Sequence, residues 1–203
     1  MTETVGIICS GDIDDTLLNP VMRITNNALT ESGSPFNYVL RPLLPKCSHI
    51  PAVSYDARIG RYNIEPFFSL ARTILGQAQA KKDDICLKKA IVMTNVPLFS
   101  YCSNSNVIGE ADFNGSYAVF SIHGMDDDNK EIYNSRIVKE ILFQLGLLNG
   151  LRHCSVEGCV MQQCKEVHDL DSKSFDYCHE CKAKVAKLPK KPKYRQYNGT
   201  LEV

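Results

Sequence analysis

The chain has 203 residues, 44% hydrophobic and 23% charged, with 23 Lys+Arg balanced by 23 Asp+Glu. Those values describe one folded domain with its own core and exclude global disorder. Apolar runs such as Ala90–Met93 and Ile141–Leu148 fall far short of the ~18 residues of a spanning helix, and Met1–Val5 lacks a signal-peptide pattern, so a cytoplasmic protein without membrane contact is expected. Val5–Cys9, closed by Ser10-Gly11, predicts a buried first strand, and Asp12–Asn27 a helix with Leu17, Val21 and Ile24 in register. Phe36–Leu44 reads as a second strand, Tyr55–Asn63 as a hairpin, and Pro66–Gln79 as a helix. Lys89–Thr94 predicts a third buried strand. Asn106–Phe113 and Ser116–Ile122, joined by Asn114-Gly115, predict a hairpin. Glu131–Asn149 has the longest helical pattern, and Gly150 stands where a helix C-terminal glycine belongs. This alternation of strand and helix gives an α/β fold.

The balanced charge hides an uneven distribution. Residues 182–203 carry seven Lys/Arg and one Glu, leaving 16 basic against 22 acidic residues ahead of them. Residues 188–203 have no means of forming a core and read as a basic flexible tail. The acidic body would repel phosphate, so a nucleic-acid partner is not expected.

Nine cysteines are many for a chain with no export pattern, and a clustered set in a reducing compartment points to metal rather than disulfides. Cys9, Cys47, Cys86 and Cys102 are scattered and read as small buried hydrophobes. Cys154-x4-Cys159 and Cys178-x2-Cys181 form two close pairs, which one loop closure can bring together as four thiolates around zinc. Cys164, His168 and His179 lie near enough to replace a member of that set.

The run Gly150-Leu151-Arg152-His153-Cys154, then Cys159-Val160-Met161, then Cys178 and Cys181, resembles the archaemetzincins, zinc metallopeptidases of the metzincin group. Their pattern is H-E-x-x-H-x-x-G-x-x-H, then C-x4-C-x-M, then C-x2-C. Arg136-x2-Lys139-Glu140 resembles the approach to their active-site helix, and Gly109-Glu110-Ala111 and Ala118–Ser121 their substrate-side strand and its neighbour. The resemblance implies a metzincin-like subdomain with a twisted mixed sheet and two long helices over residues 1–153. A small zinc-stabilised, Cys-rich subdomain over residues 154–187 would follow, completing one domain over 1–187.

Anchored on Gly150 and His153, the catalytic motif falls on residues 143–153. Phe143 then stands at the first zinc histidine, Gln144 at the catalytic glutamate and Leu147 at the second histidine; His153 alone remains. Met161 takes the Met-turn position. Residues four apart share a helix face, which is why two histidines there can grip one ion; Phe143 and Leu147 offer it no lone pair. Gln144 cannot take a proton from water near neutral pH. His49 and His123 are the remaining outside histidines, and His123, after a strand near the cleft, is the better placed.

The expectation is a catalytically inactive, archaemetzincin-like protein with one structural zinc ion on Cys154, Cys159, Cys178 and Cys181 and no catalytic ion. An extended peptide would add to the edge strand near Val107–Asp112. The alternative is an active zinc peptidase with an unusual site around His153, which requires a second ion. A zinc-ribbon adaptor for nucleic acid is a more distant reading, opposed by the acidic body.

Overall fold

The computed structural model describes residues 3–30, 34–43, 49–80 and 87–187. Its central sheet has five strands: β1 (Glu3–Ser10), β2 (Tyr38–Pro42), β5 (Leu87–Thr94), β8 (Gly109–Ala111) and β9 (Tyr117–Ser121), in the order β2-β1-β5-β9-β8. β2, β1, β5 and β9 run parallel, and β8 returns antiparallel along β9. The sheet is therefore mixed.

Helices cover both faces. Val5, Ile7, Ile91, Met93, Ala118 and Phe120 point toward α1 (Asp15–Thr30) and α3 (Lys130–Leu148). Their neighbours Ile8, Ala90, Val92 and Val119 meet α2 (Glu65–Ala80) on the other side. A parallel strand covered twice must be apolar on both faces, which is why β1 and β5 read as nearly unbroken apolar runs. A second, four-stranded sheet, β3 (Tyr55–Asp56), β4 (Arg61–Asn63), β6 (Leu98–Ser100) and β7 (Ser105–Val107), stands in the order β3-β4-β6-β7.

α3 passes through the middle of the core, buried without interruption from Arg136 to Gly146. Asn129 starts it by accepting the Glu131 amide at 2.9 Å. Gly150, at φ 82°, ends it: the Leu151 amide returns to the Gly146 carbonyl at 2.9 Å and the Gly150 amide to that of Leu147 at 3.0 Å. Lys89, buried on β5, donates to the Leu148 carbonyl at 2.8 Å and to that of Gly115 at 3.0 Å. One ammonium thus joins the sheet, the helix end and the hairpin turn, where the helix dipole favours positive charge.

Two expectations need correction. Asn106–Phe113 is not one hairpin arm: the chain changes sheets at Ile108, so Ser105–Val107 pairs with β6 while Gly109–Ala111 pairs with β9. A β-turn through Asn114, at φ 54°, still closes β8 onto β9. Cys102 is exposed rather than a buried hydrophobe; Cys9 is buried, and Cys47, Cys86 and the basic tail lie outside the described residues. The short strand β6 was not among the predicted elements; its apolar residues Leu98 and Phe99 directly follow Pro97. Among the described residues no helix is long and apolar enough to cross a membrane.

Candidate functional site

The end of α3 presents Phe143 and Leu147 one turn apart, and the turn at Gly150 brings His153 back toward them. The Phe143 ring is buried and lies against the His153 imidazole, centroids 5.6 Å apart and planes inclined by 21°. On Phe143 also rests the ammonium of Lys173, 4.5 Å from the ring centroid, a cation–π contact. Lys173 is itself buried and donates to the Val160 carbonyl at 3.2 Å. Burial, and then the Lys173 charge, hold the His153 imidazole below its ordinary pKa, favouring its neutral form.

Gln144 faces the edge strand. An added Cβ at Gly109 of β8 would stand 2.8 Å from Gln144 Nε2 and 2.6 Å from Phe120 Cβ, so only glycine lets the strand approach the helix this closely. Gln144 Nε2 donates to Glu140 Oε1 at 2.6 Å, while its buried Oε1 has no partner among the described residues. Burial pushes the Glu140 carboxyl pKa up, opposed by the Gln144 hydrogen bond and by Lys173. Beneath the helix, Met161 packs on Gly146 so tightly that an added Cβ would meet its sulfur at 2.2 Å. Tyr177 donates to the Leu142 carbonyl at 2.6 Å. Arg136 holds the segment after Met161 in place, with two bonds of 2.8 Å to Asp171 and a third, at 3.0 Å, to the Met125 carbonyl.

Next to His153 in the sequence a different site begins. The sulfurs of Cys154, Cys159, Cys178 and Cys181 all lie within 4.8 Å of one another. Cys154 and Cys178 are 3.7 Å apart, and Cys159 and Cys181 are 3.9 Å apart. A zinc ion with four Zn–S bonds of about 2.3 Å requires S···S edges of about 3.8 Å, so the donor set fits tetrahedral zinc. The loop aims the first pair: Gly158 turns at φ 75°, and the Cys154 amide donates to the Met161 carbonyl at 2.9 Å. The second pair converges at the start of α4 (His179–Lys187), with the Cys178 amide 3.4 Å from Cys159 Sγ. Burial, together with the neighbouring Cys159, pushes the Cys181 thiol up in the metal-free protein, a cost that a coordinated cation relieves.

Cys164, His168 and His179 are not part of this cluster. Cys164 lies beside Lys173, His168 is exposed near Asp171, and His179 is exposed at the start of α4. His123 lines a separate cavity, among Asp12, Asp14 and Asp126. Among the described residues the four cysteines are the one group of three or more His, Cys, Asp or Glu side chains so gathered. Edge strand β8 flanks Gln144, but Val107 belongs to the other sheet. Sequence reasoning missed Lys173: a lysine amid polar residues carries no sign of burial, and its contact with Phe143 spans 30 positions.

The family model described as Peptidase family M54 matches residues 1–187. The archaemetzincin of Archaeoglobus fulgidus is 39% identical over 79 residues, 39% of this chain and 49% of that protein. The archaemetzincin of Methanocaldococcus jannaschii is 28% identical over 182 residues, 86% of this chain and 88% of that protein. In fold, the chain is similar to the crystal structure of archaemetzincin from Methanopyrus kandleri, with a TM-score of 0.74 at 22% identity, covering 91% of this chain and 94% of that one.

Proposed function

The chain belongs to Peptidase family M54, and we propose that it is a non-catalytic member, a zinc-stabilised protein that keeps the fold without the hydrolytic centre. The observation that carries this reading is the Phe143 ring, stacked on His153 on one side and touched by the Lys173 ammonium. His153 is a single imidazole where the resembled motif has three histidines, and catalytic zinc ordinarily takes three protein ligands. The lysine adds to the deficit, because a fixed positive charge beside His153 opposes a divalent cation. Gln144 is a neutral amide committed to Glu140, and it cannot serve as a general base.

Cys154, Cys159, Cys178 and Cys181 would hold one structural zinc ion, whose bound state supplies folding free energy to residues 154–187. A reducing compartment such as the cytoplasm keeps those thiols available. β8, the last strand of its sheet, would accept an extended peptide as a further strand. Main-chain pairing of that kind needs no metal, so docking survives the loss of cleavage.

Restoring the motif tests the reading. The variant Phe143→His, Gln144→Glu, Leu147→His should bind one zinc more per chain than the wild type. Equal zinc content in the two proteins, with chelator-sensitive peptide cleavage by the wild type, would refute it.

A further inference from the structure

We propose that the cavity between α3 and the segment Lys173–Asp176 binds a small oxyanion, a molecule presenting a carboxylate or a phosphate. The cavity measures about 350 Å³ and is lined by Ser135 and Lys139 of α3, by Lys173 through Asp176, and by Ala28 at the end of α1. That is the lower end of the ~300–1,000 Å³ range of small-molecule pockets.

Two lysines from different segments meet there, and both are more than nine-tenths buried. Each is positioned but not neutralised: Lys139 donates to the Leu170 carbonyl at 2.9 Å and Lys173 to that of Val160 at 3.2 Å. Among the described residues neither ammonium has a carboxylate within ion-pair distance: Asp171, nearest Lys139, is bound by Arg136, while Glu140, Asp169 and the Cys164 thiol act on Lys173 without forming an ion pair with it. Buried charges are ordinarily paired, and two like charges around one cavity are costly until an anion joins them. Lys139 carries the mark of that cost, its ammonium pulled below the ordinary lysine pKa by burial and by the Lys173 and Arg136 charges, against the pull of Asp171. Ammonium groups act as point charges toward oxyanions, and the Ser135 hydroxyl lies in the same wall. Phe175, with Lys139 5.8 Å from its ring centroid, forms an apolar side. Asp176 also lines the cavity and opposes the ligand, which gives the test a second sign. This site does not depend on whether the chain cleaves peptides.

The experiment is an amide-resolved NMR titration of the zinc-loaded full chain with inorganic phosphate and, separately, with glutarate, at ionic strength fixed by sodium chloride. Saturable shifts at Ser174 and Phe175 are expected with one or both probes, at one site per chain. The probe that binds more tightly identifies the ligand as phosphate-like or carboxylate-like. Lys139→Met should weaken binding at least about tenfold, as loss of a charge-assisted hydrogen bond implies. Ser135→Glu, a milder change that sets a carboxylate in the cavity, should do the same if the first variant folds poorly. Asp176→Asn should strengthen binding, and the exposed Lys88→Met should leave it unchanged. Shifts that do not saturate, or binding unaltered in both Lys139→Met and Ser135→Glu, would overturn the assignment.

Discussion

His153 and Cys154 are neighbours in the chain, yet the regions around them offer a metal very different ligands. On the cysteine side four soft ligands converge at distances that suit zinc. On the histidine side one imidazole is left, covered by Phe143 and facing the Lys173 charge. The contrast separates two uses of a metal. A structural ion contributes to folding whatever chemistry the protein performs, so its ligands are tied to the stability of residues 154–187. A catalytic ion contributes to rate, and packing can fill its place. Phe143 and Leu147 put apolar surface into the same core that Met161, Val160 and Tyr177 build from the other side.

Substitutions on the two sides should therefore differ in kind, and the largest effect belongs to the cysteines. Cys181→Ser, or a strong chelator, should release zinc and lower stability by several kcal/mol, on the order of half the 10–16 kcal/mol of small zinc-finger peptides, because α3 and the sheet keep a core of their own. Thermal unfolding with and without chelator measures it. Phe143→Ala should come next, costing about 3–4 kcal/mol for the cavity left in the core, with zinc content unaltered. Denaturant titration combined with metal analysis separates these two results. If Phe143→Ala also released zinc, the two regions would not be independent.

Gly146→Ala is a smaller and more pointed test. Alanine favours a helix by about 1 kcal/mol, but here its Cβ would stand 2.2 Å from Met161 Sδ, and overpacking of that kind costs about 1–3 kcal/mol. Net destabilisation in a denaturant titration is the expected sign; stabilisation would mean that Met161 moves aside freely. Also small is Tyr177→Phe, which removes the side-chain donor to the Leu142 carbonyl and should cost about 0.5–1.5 kcal/mol.

Much of this was legible in the sequence, for physical reasons that can be named. The pairs Cys154-x4-Cys159 and Cys178-x2-Cys181 were legible because a tight loop and one helical turn fix where such thiols point. α3 was legible because its apolar positions repeat at helical spacing and Gly150 marks its end. The expectation that residues 143, 144 and 147 occupy the motif's positions came from counting back from Gly150 and His153 along one helix. What escaped were contacts decided by distant segments. Lys89 reaches the Leu148 carbonyl 59 positions away, and nothing local distinguishes it from exposed Lys88. Asn106–Phe113 alternates like a single strand, and only the competition between two sheets divides it at Ile108. Lys139 belonged to a recognisable run, but its convergence with Lys173 on one cavity depends on the fold of the segment that follows Met161.

Which residues can hold a metal is measured most directly by an anomalous difference map at the zinc edge from crystals of the wild-type protein grown with zinc. It should show one ion per chain, within bonding distance of Cys154, Cys159, Cys178 and Cys181. A second ion coordinated by His153 and other side chains of the same chain would contradict the non-catalytic reading.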